Sequence, residues 1–137
     1  MKRALFVCTG NRARSQMAEG LLRHLAGDRF EVESAGTRPA GLAAETVEVM
    51  AEIGIDISGQ WSKHVDELAG KEFDYVITVC DSARQVCPTF PGQGKVLHWD
   101  VEDPIEPQKR GASLEEALRE ARDELRGRIE EFLREEG

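Results

Sequence analysis

Short apolar, β-branched runs alternate along this chain with segments of helical hydrophobic spacing, and glycines punctuate the changes. This alternation constrains the fold most. Residues 4–7 read as a buried strand. From Ser15 onward Met17, Leu21, Leu22 and Leu25 recur at helical spacing, and Gly27 closes the segment. Residues 30–35 read as a second strand bounded by Gly36. Residues 42–52 predict a helix with Val47, Met50 and Ala51 on one face and Gly54 as its stop. Residues 73–80 (Phe-Asp-Tyr-Val-Ile-Thr-Val-Cys) give the strongest strand signal. Residues 95–99 predict a fourth strand. A last helix starts near Ser113, where Ser113-Leu114-Glu115-Glu116 resembles a capping box. Its apolar stripe is Leu114, Ala117, Leu118, Ala121, Leu125, Ile129 and Phe132; its charges read as a solvated face with i,i+4 pairs.

Strands separated by helices build parallel βαβ units. The expected fold class is therefore α/β, a four-stranded parallel sheet with helices on both faces. The 137 residues suit one domain spanning 1–137. In such sheets ligands bind beyond the carboxyl ends of the strands. Cys8 ends the first strand, Ser34 the second and Cys80 the third, and Asp103 follows the fourth. All four are expected at one edge.

The loop after the first strand carries the clearest chemistry. Cys8-Thr9-Gly10-Asn11-Arg12-Ala13-Arg14-Ser15 runs from a strand end into a helix start. Backbone N–H groups of such a turn bind anions at the helix N-terminus. The same field lowers a thiol pKa and makes a nucleophilic thiolate. Arg14 offers planar bidentate geometry to an oxyanion. Gly10 lets the loop turn, and Ser15 is placed to donate its hydroxyl to the sulfur. The competing reading of Cys8 is a buried core thiol. Asp103-Pro104 is the acid candidate, since departure of an oxygen from a tetrahedral centre needs a proton. An Asp-Pro turn is the alternative.

Composition narrows the partners. A formal net charge of −8 argues against nucleic acid and anionic membranes. An anionic substrate then depends on a local positive site. Only four apolar residues separate Met1-Lys2-Arg3 from Cys8, too few for a secretory signal, and no stretch approaches membrane-spanning length. Three cysteines in such a chain read as reduced thiols, with a cytoplasmic location expected.

Cys80 and Cys87 have six residues between them. A zinc site needs more ligands than this pair and His98 supply. If the intervening segment is helical, the two positions share a face about 10 Å apart. A disulfide needs Cα atoms roughly 5.5 Å apart. Joining them thus requires the segment to unwind or loop out, with Pro88 and Gly92 just beyond. Two unrelated thiols are the alternative.

Cys8-Thr9-Gly10-Asn11-Arg12-Ala13-Arg14-Ser15-Gln16-Met17-Ala18-Glu19-Gly20 resembles the phosphate-binding loop of the low-molecular-weight protein tyrosine phosphatase fold. Its Ser-Gln-Met-Ala-Glu continuation is similar to thioredoxin-coupled arsenate reductases of that fold. The resemblance continues through Ser34-Ala35-Gly36, residues 54–58, the pair Cys80 and Cys87, and Asp103-Pro104. It implies a three-cysteine relay. Cys8 attacks arsenate, which Thr9, Gly10, Asn11, Arg12, Ala13, Arg14 and Ser15 hold, while Asp103 protonates the leaving oxygen. Cys80 resolves the adduct and releases arsenite, Cys87 takes over the disulfide, and thioredoxin reduces it. No bound cofactor or metal is implied, phosphate or sulfate would act as analogues, and a monomer is expected.

Two departures from the resemblance stand out. Many relatives carry a cysteine where this chain has Ala13, outside the relay. Some bind potassium through an asparagine, glutamate, serine and aspartate. Asn11, Glu19 and Ser34 match, but Lys63 stands at the aspartate position. Its ammonium is expected to replace the ion and pair with Glu19.

The runner-up is a low-molecular-weight phosphotyrosine phosphatase using the same Cys8, Arg14 and Asp103. Such phosphatases usually place tyrosines after the Asp-Pro. Here the only tyrosine is Tyr75, and no aromatic lies between Trp99 and Phe132. A non-catalytic redox sensor or anion-binding adaptor is the third reading.

Overall fold

The computed structural model describes residues 1–79, 94–102, 104–105 and 113–136. Four parallel strands form one sheet: β1 (Lys2–Cys8), β2 (Phe30–Gly36), β3 (Tyr75–Thr78) and β4 (Lys95–His98), in the order β2-β1-β3-β4. Three helices are α1 (Arg14–Ala26), α2 (Ala44–Ala51) and α3 (Leu114–Glu136). A 3-10 turn spans Val65–Leu68. The expected α/β parallel sheet is present.

In the central strand β1, Ala4, Leu5, Phe6 and Val7 are all fully buried, so side chains on both sides of the pleat are shielded from water. This explains a continuous apolar run where a half-solvated strand would alternate. α3 covers one face. Its Phe132 ring lies 5.7 Å from Phe30, 5.0 Å from Tyr75 and 6.2 Å from Trp99, centroid to centroid. Trp99 also meets Phe6 at 5.9 Å, centroid to centroid.

The strand order fixes where a ligand belongs. The chain leaves β1 toward β2 on one side, and β3 returns on the other. The carboxyl ends of β1 and β3 therefore flank a topological switch point. Val7 pairs with Thr78, and the Val79 N–H donates to the Val7 carbonyl at 2.9 Å. Cys8 caps β1 at that crevice.

Several expectations are corrected. β2 runs on to Gly36, so Ser34 is an interior strand residue. α2 begins at Ala44, two residues later than its pattern predicts. The reason is local: the Arg38, Ala40 and Ala43 N–H groups bond the carbonyls of Thr9, Gly10 and Arg12, which keeps that segment out of the helix. The buried face of α2 is Thr46, Val49 and Met50, while Ala51 is exposed.

The charges of α3 do more than face solvent. Arg122 is buried, and its Nη1 donates to the Val49 carbonyl in the last turn of α2 at 2.8 Å. A guanidinium there satisfies a carbonyl the helix end leaves open. Arg122 and Arg119 both grip Glu52, at 3.0 and 2.7 Å. The Arg119 hydrogen bond, with Arg122 assisting, holds the Glu52 carboxyl down at about 2, from 4.5. The expected i,i+4 pairs also exist, as in Arg128 with Glu124 at 3.3 Å. The Ser113 hydroxyl accepts from the Glu116 N–H at 3.2 Å, which is half of the capping box.

Candidate functional site

Residues 8–15 form a compact turn between β1 and α1. Its peptide orientation is set from outside. The carbonyls of Cys8, Thr9, Gly10 and Arg12 accept hydrogen bonds from Thr37, Arg38, Ala40 and Ala43, at 2.9 to 3.2 Å. In a planar trans peptide the N–H points opposite to the C=O. The N–H groups of Thr9, Gly10, Asn11 and Ala13 therefore turn away from the 37–43 segment, toward the inside of the loop. The Asn11 N–H shows this directly, donating to Cys8 Sγ at 3.1 Å.

Asn11 is the hub. It is fully buried and sits at φ 50°, left-handed space that asparagine tolerates better than most residues. Its Nδ2 donates to Ser15 Oγ at 2.7 Å and to Ser34 Oγ at 3.1 Å. Its Oδ1 accepts from the Lys63 N–H at 3.0 Å, and its carbonyl from Gln16 Nε2 at 3.0 Å. Ser15 Oγ lies 2.8 Å from Cys8 Sγ. The sulfur thus sits against a main-chain N–H and a hydroxyl, an arrangement that favours the thiolate.

The network reaches the far end of α1. Ser34 Oγ donates to Glu19 Oε1 at 2.6 Å, and Arg23 binds Glu19 Oε2 at 2.6 Å. This corrects the expectation for Lys63. Glu19 takes its positive partner from Arg23, while the Lys63 ammonium stacks on the Trp61 ring, 4.8 Å from its centroid. Trp61 is itself exposed. Among the described residues no group of three or more His, Cys, Asp or Glu is arranged to hold a metal.

Gly36 explains how close β2 approaches. A Cβ on it would stand 2.5 Å from the Thr9 carbonyl oxygen and 3.1 Å from the Asn11 nitrogen. Only glycine allows that contact without displacing the loop.

Above the sulfur is a cavity of ≈ 80 Å³ lined by Cys8, Gly10, Arg12, Ala13, Arg14 and Ile105. The N-cap position of α1 falls on Ala13, whose side chain accepts nothing, so the first turn has no capping side chain. An anion is the natural acceptor there. Arg14 is buried and directs Nη1 to the Val101 carbonyl at 3.0 Å, tying the segment after β4 to the loop.

The structure thus brings Cys8, Thr9, Gly10, Asn11, Arg12, Ala13, Arg14 and Ser15 together. Cys80, Cys87 and Asp103 lie outside the described residues. Sequence reasoning passed over Gln16, whose amide also reaches the Trp61 carbonyl at 3.1 Å, and the 37–43 segment that aims the peptides. Asn11 is the chain's single asparagine, and its place beside Gly10 in a turn was a usable signal for left-handed backbone.

The low-molecular-weight phosphotyrosine protein phosphatase family model matches residues 3–136. The arsenate reductase of Halalkalibacterium halodurans is 40% identical over 127 residues, covering 93% of this chain and 91% of that protein. An arsenate reductase structure in the phosphate-binding state is 33% identical with a TM-score of 0.85, covering 100% of both chains. The thioredoxin-dependent arsenate reductase of Corynebacterium glutamicum is 33% identical with a TM-score of 0.75, covering 98% of this chain and 61% of that one. A low-molecular-weight protein tyrosine phosphatase from T. tengcongensis is 32% identical with a TM-score of 0.78, covering 98% and 99%. The chain belongs to the low-molecular-weight phosphotyrosine protein phosphatase family, and within it resembles arsenate reductases.

Proposed function

We propose that this chain reduces arsenate to arsenite and draws its electrons from thioredoxin. Cys8 Sγ is the nucleophile. It attacks arsenic, an S–As bond forms, and one oxygen leaves as water with a proton from Asp103. The N–H groups of the loop and Arg14 hold the remaining oxygens, where donors aimed at developing charge act most strongly. Ser15 steadies the sulfur, and Thr9, Gly10, Asn11, Arg12 and Ala13 complete the cradle.

Cys80 then attacks the Cys8 sulfur. A Cys8–Cys80 disulfide forms, the S–As electron pair passes to arsenic, and arsenite leaves. Cys87 attacks Cys80, frees Cys8 and creates a Cys80–Cys87 disulfide, which thioredoxin reduces by thiol–disulfide exchange. Arsenate gains two electrons and one dithiol supplies two. The reading needs no resident metal or cofactor. It assigns residues 1–137 to one monomeric domain working in the cytoplasm, where thiols stay reduced.

The observation carrying this reading is the pairing of two strand ends. The Val79 N–H is bonded to the Val7 carbonyl, so the residues directly preceding Cys80 and Cys8 are neighbours. Support for the acid role comes from its flanks, since Val101 accepts from Arg14 and Ile105 lines the cavity. The similarity to enzymes named arsenate reductase supports the same choice.

A phosphatase reading is favoured by the family model and by the similarity to the low-molecular-weight protein tyrosine phosphatase from T. tengcongensis. One assay separates them. NADPH oxidation is followed with thioredoxin and thioredoxin reductase, with and without arsenate, beside turnover of p-nitrophenyl phosphate. Arsenate-dependent NADPH loss is expected. Aryl phosphate turnover alone would select the phosphatase, and neither activity would leave a sensor or adaptor.

A further inference from the structure

The Arg12 side chain lines the same cavity as Cys8 and Arg14. Its Nε is shut off from solvent and has no hydrogen-bond partner. Among the described residues no carboxylate pairs with it. Arg14, by contrast, commits Nη1 to the Val101 carbonyl. The stem of Arg12 is held against the loop: a Cβ on Gly10 would stand 3.2 Å from Arg12 Cγ and 3.5 Å from Cδ. A side chain anchored only for its charge would project into water, where its donors are satisfied at no cost. A buried, unpaired donor is unfavourable and calls for a ligand that completes it.

We propose that Arg12 is a second guanidinium contact for the bound tetrahedral oxyanion, made through Nε–H, and that this contact sets affinity for free arsenate- or phosphate-type anions. The inference rests on the reading of the Cys8 loop as an oxyanion site. A chain of net charge −8 repels such an anion at long range, and a second short-range cationic donor offsets part of that repulsion. The contact is directional. Lysine keeps the charge but has no donor at the position of Nε.

The test is calorimetric titration of the reduced full-length chain with inorganic phosphate, comparing wild type, Arg12→Met and Arg12→Lys. Wild type binds. Arg12→Met is expected to raise Kd by about tenfold or more, the loss of one charge-assisted hydrogen bond. Arg12→Lys folds with the charge retained and is expected to bind nearly as weakly as Arg12→Met. Arg12→Met binding within twofold of wild type, or Arg12→Lys restored to wild type, overturns the assignment. Failure of wild type to bind phosphate overturns the oxyanion site and the assignment with it. Phosphate binding needs no turnover, so loss of the arsenate-dependent NADPH signal alone would sink the reductase reading and leave Arg12's role standing.

Discussion

Replacing Asn11 by alanine dismantles the loop at its hub. Three side-chain hydrogen bonds disappear, to Ser15, Ser34 and the Lys63 N–H. Ser15 keeps Cys8, and Ser34 keeps Glu19. The Lys63 N–H loses its acceptor in a buried place, which costs about 1–3 kcal/mol. The other two bonds contribute about 0.5–1.5 kcal/mol each. Alanine at φ 50° adds about 1–2 kcal/mol of backbone strain. The sum is about 3–8 kcal/mol, a large part of the ~5–15 kcal/mol typical of a domain. Asn11→Gly loses the same bonds without the strain, so it is expected to be about 1 kcal/mol less damaging than alanine. Urea unfolding of the reduced proteins, followed by tryptophan fluorescence, reads both differences. An Asn11→Ala cost below about 1 kcal/mol, or a glycine variant less stable than the alanine variant, would refute the hub argument.

Gly36→Ala is expected to displace the Thr9 carbonyl, whose oxygen lies 2.5 Å from the new Cβ. Phosphate affinity should fall about tenfold with the far-ultraviolet spectrum unchanged; unchanged affinity contradicts the close approach. Activity is expected to be the same in potassium and sodium, because Arg23 already neutralises Glu19, and a marked gain in potassium would show that the ion pair is not sufficient. The Glu52 carboxyl titrates lower in the folded chain, about 2 against 4.5. Its contribution is therefore present above pH 4.5 and lost as pH falls toward 2. Glu52→Gln should lower Tm slightly at pH 7, with the difference from wild type vanishing near pH 2; a difference independent of pH would rule out the ion pairs as its source.

The strands and the phase of α3 were legible because burial alone produced their patterns, whereas α2 buries Thr46 and Val49 where Val47 and Ala51 were expected. Residues 4–7 of β1 are apolar because all four are fully buried, and Phe132 anchors α3 where the stripe placed it. The loop was legible because Cys8, Gly10, Arg14 and Ser15 stand at fixed offsets within eight residues. What stayed hidden is polar and long-range. Arg122 reaches Val49, Gln16 reaches Trp61, and Arg14 reaches Val101, and hydrophobic periodicity carries no record of such partners. The delayed start of α2 was hidden for the same reason, since the competing acceptors are loop carbonyls some thirty residues earlier. Lys63 was misplaced because alignment to a cation site says nothing about Arg23, one helical turn from Glu19.

The relay is tested most directly by trapping it. Anaerobic Cys87→Ser protein treated with arsenate is digested under acid quench and analysed by mass spectrometry. A Cys8–Cys80 disulfide that forms only with arsenate is the predicted result. Both thiols remaining free after arsenate exposure would contradict it.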